Sequence, residues 1–203
     1  MKNAKKALIL VLCAALLVGA SVMGTLAFLQ DKTDTVKNTF TVGHVKITLQ
    51  EYEINVETGV KTGSTTPVTG MKNVKLVPNR VIEKNPFVTV EANSEKCYLY
   101  VKVVNYIAGV ESAETATYKT VEQQMAANGW LPLDGVDDVY YMIVETNAAN
   151  QNKNVFEKFM VKPEATNDAL AAVSGKTIEL TAYAVQFEGF DNAAAAWAAT
   201  FGA

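Results

Sequence analysis

Residues 97–106, CYLYVKVVNY, give the strongest β-strand signal in the sequence. β-Branched and aromatic side chains dominate the segment, and large side chains occupy both alternating phases. We therefore predict a central strand of a sheet. We predict that one phase faces the core (Cys97, Leu99, Val101 and Val103) and that the other faces outward (Tyr98, Tyr100, Lys102, Val104 and Tyr106).

Further strands are predicted on both sides of this one, at irregular spacing. They are expected at residues 39–50, 74–77, 81–83, 87–92, 139–144, 156–161 and 177–187. Pro86 directly precedes one of them, and a proline is tolerated where a strand begins. The strands do not alternate regularly with helices, which favours an all-β fold built as an antiparallel β-sandwich. We predict a jelly-roll-like domain over residues 39–203, with helical insertions and a C-terminal helix.

The first predicted strand changes its apolar phase. Phe40 and Val42 lie on one phase, whereas Ile47 lies on the other. Because an apolar face cannot change phase without an extra residue, we predict a β-bulge at Gly43 and His44.

Two helical segments are predicted between strands. Residues 111–128 lack strand alternation and carry Val121 and Met125 four residues apart, and the Asn-Gly pair that follows ends the segment. Residues 166–174 form a second, shorter helix with Gly175 as its stop.

A third helix is predicted at residues 193–200. Asp191 is expected to cap it, and Trp197 and Phe201, four residues apart, would pack it onto the domain.

The first 27 residues have the organisation of a secretory signal. Three lysines within the first six residues precede an apolar run at 7–18, and a region of small residues follows. Thr25 and Ala27 supply the small side chains that a signal peptidase accepts at the third and first positions before its cut. Cleavage after Ala27 would leave Phe28 as the new N-terminus.

An uncleaved membrane anchor is the alternative. No charged residue lies between Lys6 and Asp31, and a bilayer span needs about 20 apolar residues. Glycine, serine and threonine dilute the second half of this stretch, which favours cleavage. In both cases the lysines stay on the cytoplasmic side and the domain is exported, so a membrane would be a partner only through the uncleaved signal.

The charge of the exported part argues against polyanionic partners. Cleavage removes three lysines, so residues 28–203 carry 15 basic and 21 acidic side chains. A chain with this balance and no basic patch is a poor match for nucleic acid or anionic lipid. Cys13 would leave with the signal, so Cys97 has no partner for an intramolecular disulfide. Its inward phase predicts an inert buried thiol, and a reactive or intermolecular thiol is the alternative.

The residues predict no catalytic, cofactor-binding or metal-binding site. His44 is the only histidine, and neither an HExxH motif nor a cluster of Cys and His accompanies it. We therefore interpret His44 as a strand or bulge residue without a chemical role.

Residues 24–50, GTLAFLQDKTDTVKNTFTVGHVKITLQ, combine a small-residue cleavage region, a short acidic linker and NTFTVG before an apolar strand. In this stretch, and in the strand-turn-strand segment LVPNRVIEKNPFVTVEANSEKCYLYVKV at 76–103, the sequence resembles the TasA/camelysin family. Members of this family are exported by Gram-positive bacteria and processed by a SipW-type signal peptidase. Asn79 stands in place of the glycine of a Pro-Gly turn, and His44 replaces an Asn or Thr.

The resemblance implies a jelly-roll subunit of extracellular fibres in a biofilm matrix, secreted or held at the cell surface. It implies that the N-terminal segment 28–38 inserts as a strand into the next subunit, with Phe28, Leu29, Val36 and, just beyond it, Phe40 as apolar residues. A free strand edge is a template for such a segment, and head-to-tail addition grows a filament. The implied partners are further copies of this chain, the SipW-type signal peptidase and other matrix proteins, without a cofactor.

Two other functions stay open. Some family members carry a metallopeptidase label, although a zinc hydrolase needs three protein ligands and a general base. A surface adhesin would use the outward tyrosines of residues 97–106 and the Thr/Gly/Ser-rich segment 58–70, which is predicted to be an exposed loop. An antiparallel sandwich can carry any of the three functions.

Overall fold

The computed structural model describes residues 5–6, 11–16, 44–70 and 73–202. Residues 5–6 and 11–16 are helical and belong to a first unit, Met1–Thr41, whereas Val42–Ala203 forms a second unit. Among the described residues, none of the helices combines the length and the apolar composition that a membrane span requires. The predicted cleavage site, the segment 28–38 and the Gly43 half of the predicted bulge lie outside the described residues.

The described part of the second unit is rich in antiparallel β-structure, as the sequence predicts. Its strands are β1 (Ile47–Tyr52), β2 (Pro67–Val68), β3 (Val81–Ile82), β4 (Phe87–Val90), β5 (Cys97–Asn105), β6 (Leu131–Pro132), β7 (Val139–Val144), β8 (Gln151–Asn154), β9 (Phe159–Met160) and β10 (Ile178–Gln186). Its helices are α1 (Val121–Ala127), α2 (Asn167–Ala172) and α3 (Ala193–Phe201), with a 3-10 turn at Ala108–Val110.

The strands form two four-stranded sheets and one short pair. One sheet has the order β2-β1-β4-β8, the other has the order β10-β5-β7-β6, and β3 pairs with β9. Every strand pair is antiparallel. The chain crosses from the first sheet to the second between β4 and β5, returns between β7 and β8, and crosses again before β10.

The main hydrophobic core contains buried side chains from both four-stranded sheets. Val88 and Val90 of β4 and Leu99 and Val101 of β5 are fully buried in this cluster. β5 lies between β10 and β7, which confirms the prediction that residues 97–106 contain a central strand. Its inward phase is also confirmed, because Cys97 belongs to the same cluster.

The helix predicted at 111–128 is shorter than expected. It begins at Val121, because the Thr120 side chain accepts a hydrogen bond from the Gln123 backbone and the Gln123 side chain accepts one from Thr120 in return. Such a capping box fixes the first turn of a helix. Residues 111–119 are not helical, and Gly129, with φ of 87°, follows the helix end as predicted.

The other two helices lie close to their predicted positions. α2 occupies most of residues 166–174, with Thr166 as its N-cap. The predicted cap of α3 is wrong by one residue, because the Asn192 side chain, and not Asp191, accepts the hydrogen bond from the Ala195 backbone at 2.8 Å. Asparagine is among the best N-cap residues, so the neighbouring Asp191 is not needed.

Two strand predictions also need correction, and one strand forms where none is predicted. That strand is β8, which pairs through its backbone with β4. Residues 74–77 form no strand, and the strand expected at 156–161 is reduced to the two residues of β9. Segment 58–70 is largely irregular, as predicted, but it contains the short strand β2.

Candidate functional site

The outer edge of β10 carries backbone groups without a described partner strand. The Phe187 N–H donates to the Lys96 carbonyl, and the Tyr106 N–H donates to the Thr177 carbonyl. Odd-numbered residues of β10 therefore bond to β5, because successive residues of a strand turn their backbone groups to opposite sides. The even-numbered residues point theirs to the sheet edge, where the described chain supplies no further strand. These residues are Ile178, Leu180, Ala182, Ala184 and Gln186.

The first half of β1 presents a second open edge. The Glu91 N–H donates to the Lys46 carbonyl, so even-numbered residues bond to β4. Ile47 and Leu49 turn their backbone groups the other way. β2 pairs with β1 only from Glu51 onward, which leaves these two residues without a partner strand among the described residues.

The two edges border one apolar groove. β1 contacts β10, and the groove between them has a volume of about 860 Å³. Its apolar walls include Leu49, Leu76, Leu170, Val173, Ile178 and Leu180. The side chains of Leu49, Leu180, Ala182 and Ala184 pack against the main core but are only partly buried. The same residues therefore offer both unpaired backbone groups and uncovered apolar surface.

A buried ion pair lies in the wall of the groove. Glu51 lies in β1, where it pairs with Val68 of β2, and is 4% exposed. Its Oε2 accepts a hydrogen bond from the Lys84 ammonium at 2.5 Å. Its Oε1 is buried and has no hydrogen-bond partner among the described residues. A buried carboxylate oxygen without a partner carries a desolvation cost that a donor at this place would offset.

α3 covers the middle of the opposite face of the second sheet, with the Trp197 ring 5.1 Å from the rings of both Tyr100 and Tyr183. The outward phase of β5 was expected to carry a tyrosine stripe, but Tyr98 and Tyr100 are buried here. Tyr106 alone among the three tyrosines of this phase is strongly exposed, at 49%. The expectation that Tyr98 and Tyr100 face outward is therefore wrong, because they are buried in a cluster with Trp197 of α3.

Two further polar groups are buried for structural reasons. Desolvation raises the pKa of the Cys97 thiol to about 11, so the thiol is protonated at neutral pH and inert. Desolvation, and the hydrogen bond from its hydroxyl to Glu111 at 2.6 Å, also raise the pKa of Tyr118. Glu111 accepts a second hydrogen bond from the Val121 backbone at 2.7 Å, so this cluster fastens the start of α1.

The structure does not describe the residues of the predicted cleavage and assembly sites. Ala27, Phe28, Leu29, Val36 and Phe40 lie outside the described residues. His44 is exposed at the start of the described domain. In the described stretches no three His, Cys, Asp or Glu side chains come close enough together to hold a metal ion.

The groove residues were not singled out by sequence reasoning, although one signal was available. Glu51 has the same strand phase as Ile47 and Leu49, so it continues an inward-facing row with a carboxylate. A charged residue in such a row predicts a buried partner or a site. Lys84 gives no comparable signal, because only the tertiary fold brings it to Glu51.

Comparisons with protein-family models, with curated proteins and with solved structures gave no match.

Proposed function

We propose that this protein is a secreted structural subunit of extracellular fibres or of a biofilm matrix. Its subunits would join head to tail, with the N-terminal segment of one copy added as a strand to the next. The observation that carries the proposal is the apolar groove between the open edges of β1 and β10. An unpaired edge beside uncovered apolar surface is the feature that strand addition uses.

The dimensions of the two parts support the proposal. β10 has nine residues, which at about 3.3 Å per residue is an edge of about 30 Å. Residues 28–43 are longer than this edge when extended, and they contain apolar side chains that could cover the groove, among them Phe28, Leu29, Val36 and Phe40. Because donor segment and acceptor groove are different surfaces, each added copy exposes a new groove, and the assembly grows without closing.

We further propose that the two four-stranded sheets are the layers of a jelly-roll-like sandwich. In support, β5 and β7 pair in one sheet, and the strands that flank them in the chain, β4 and β8, pair in the other. A jelly roll is a long hairpin of paired strands folded over in this way. An added strand beside β10 would extend the second sheet from four strands to five.

In this proposal, cleavage of the signal during export controls when the donor segment can pair with another copy. Before the cut after Ala27, the apolar leader would tether the donor segment to the membrane. After the cut by a SipW-type signal peptidase, Phe28 and the residues after it would be free to pair. The secreted protein is therefore expected to begin at Phe28, which N-terminal sequencing of the culture supernatant tests. A secreted form that retains the leader would contradict the proposal.

Electron microscopy of the purified secreted chain tests the assembly itself. We expect filaments from the chain that begins at Phe28 and none from a chain that lacks residues 28–38. Both forms should show the same circular dichroism, because the deletion removes the donor and leaves the acceptor domain. Equal filament formation by the truncated chain would defeat the proposal.

A mixing experiment separates the donor from the acceptor. A chain that lacks residues 28–38 keeps the groove and should cap the growing end that carries donor segments. Added at a tenth of the total protein, it should shorten the filaments strongly without entering their interior. Unchanged filament length at this ratio would mean that the groove is not the acceptor.

A further inference from the structure

Glu51 is the unusual residue of the groove, because its carboxylate is buried and only half satisfied. Lys84 binds Oε2, whereas Oε1 has no partner in the described chain, and Glu51 itself lines the groove. An apolar strand alone would bury this oxygen further and leave it unpaired. The occupant of the groove is therefore expected to bring a hydrogen-bond donor to this place.

The donor should be neutral. Lys84 already balances the charge of Glu51, and Lys75 and Lys176 also line the groove. Lys75 forms an ion pair with Glu57 at the exposed rim of the groove. A further ammonium group beside Glu51 would add a buried positive charge without a counter-ion, which is unfavourable. A side-chain amide or hydroxyl, by contrast, satisfies Oε1 without changing the charge.

The N-terminal segment carries such a group between its apolar residues. Val36 and Phe40 share one strand phase, and Asn38 lies midway between them on the same phase. If Val36 and Phe40 cover the groove, strand alternation turns Asn38 to the same side. Resting on the proposed function, we propose that the Asn38 amide of one copy donates a hydrogen bond to Glu51 Oε1 of the next. This Asn38–Glu51 latch fixes the register in which the donor strand binds.

A charge change and its rescue test the latch in the secreted chain that begins at Phe28. Asn38→Asp places a carboxylate against Glu51, so the critical concentration for polymerisation, measured by sedimentation, should rise at least about tenfold. Adding Glu51→Gln gives the introduced carboxylate a neutral amide donor, and the double variant should return to within about threefold of the wild type. Thr39→Asp adds the same charge on the opposite phase and should change the critical concentration by less than about threefold.

The possible results separate the latch from the proposed function. Normal polymerisation of Asn38→Asp, or a double variant more impaired than either single variant, would overturn the latch and leave strand addition intact. A wild-type chain that does not polymerise would overturn strand addition, and the latch with it. Asn38→Asp should also unfold like the wild type below the critical concentration. A less stable monomer would show that Asn38 binds within its own chain, which overturns the contact between copies.

Discussion

The Tyr100 hydroxyl donates a hydrogen bond to the Ala193 carbonyl at 2.8 Å, in the buried contact between β5 and α3. The Trp197 ring packs edge-on to the same tyrosine, with ring centres 5.1 Å apart. One residue of a central strand therefore holds both the first turn and the middle of the C-terminal helix. This contact covers the middle of one face of the second sheet.

Tyr100→Phe should lower the free energy of unfolding by about 1 to 2 kcal/mol. The substitution keeps the ring contacts but leaves the Ala193 carbonyl with one hydrogen bond fewer in a dry environment. Urea denaturation of the two chains measures the difference. Tyr106→Phe is the matched control, because Tyr106 is half exposed, and its effect should stay within about 0.5 kcal/mol. Equal stability of the wild type and Tyr100→Phe would mean that this bond does not hold α3.

Lys84→Met should destabilise the domain by about 3 kcal/mol, because it leaves the buried Glu51 charge unpaired. The double variant Glu51→Leu/Lys84→Met removes both charges and should recover most of the loss. Lys46→Met removes an ion pair whose lysine is largely exposed and should cost less than about 1 kcal/mol. Denaturant unfolding at pH 7 gives the free energies of unfolding of the wild type and of the three variants. A double variant as unstable as Lys84→Met would show that the lysine acts through packing and not through its charge.

The Cys97 thiol should make stability depend on alkaline pH. Burial raises its pKa from an ordinary value of 9.0 to about 11 in the folded protein. The folded state therefore keeps a proton that the unfolded state releases, so the stabilising effect is complete below pH 9 and is lost as the pH rises through about 11. The full difference amounts to about 2 to 3 kcal/mol.

Unfolding free energies of the wild type and Cys97→Val between pH 8 and 11 measure this effect. The valine variant keeps an apolar side chain of similar size but has no proton to lose. The stability difference between the two chains should therefore shift in favour of the variant as the pH rises. Parallel curves over this range would show that Cys97 does not ionise on unfolding.

Much of the fold could be predicted where side chains decide it. The β-branched and aromatic content of residues 97–106 predicts a central strand, and the structure places that strand between β7 and β10. β8, with the sequence QNKN, could not be predicted in this way. It lies at a sheet edge and is held by backbone hydrogen bonds to β4. Because almost any residue type can form such bonds, the amino-acid composition does not predict them.

The candidate site was harder to predict, because it depends on residues far apart in the chain. The partial burial of Leu49 and Leu180 follows from the contact between β1 and β10, which no local pattern encodes. The contact of α3 with the second sheet was partly predictable, since Trp197 and Phe201 mark an apolar stripe on the C-terminal helix. That this stripe covers Tyr98 and Tyr100 depends on the tertiary fold.

Ala182→Pro should block polymerisation while leaving the fold intact. The Ala182 N–H points to the open edge of β10 and makes no ladder bond to β5, so its loss costs the isolated domain little, and edge strands tolerate proline. An added strand would need this N–H, and the proline ring would also stand in its path. Sedimentation should show a critical concentration raised at least about tenfold.

Asn152→Pro is the matched control for this prediction. Asn152 lies on β8, the edge strand of the other sheet, and its N–H also points away from the neighbouring strand. This variant loses the hydrogen bond from Thr89 to the Asn152 side chain, so thermal unfolding of both proline variants must be compared with the wild type. Asn152→Pro should polymerise normally, because its edge lies at the far side of the first sheet from the groove. If Ala182→Pro folded and polymerised like the wild type, β10 could not be the acceptor edge.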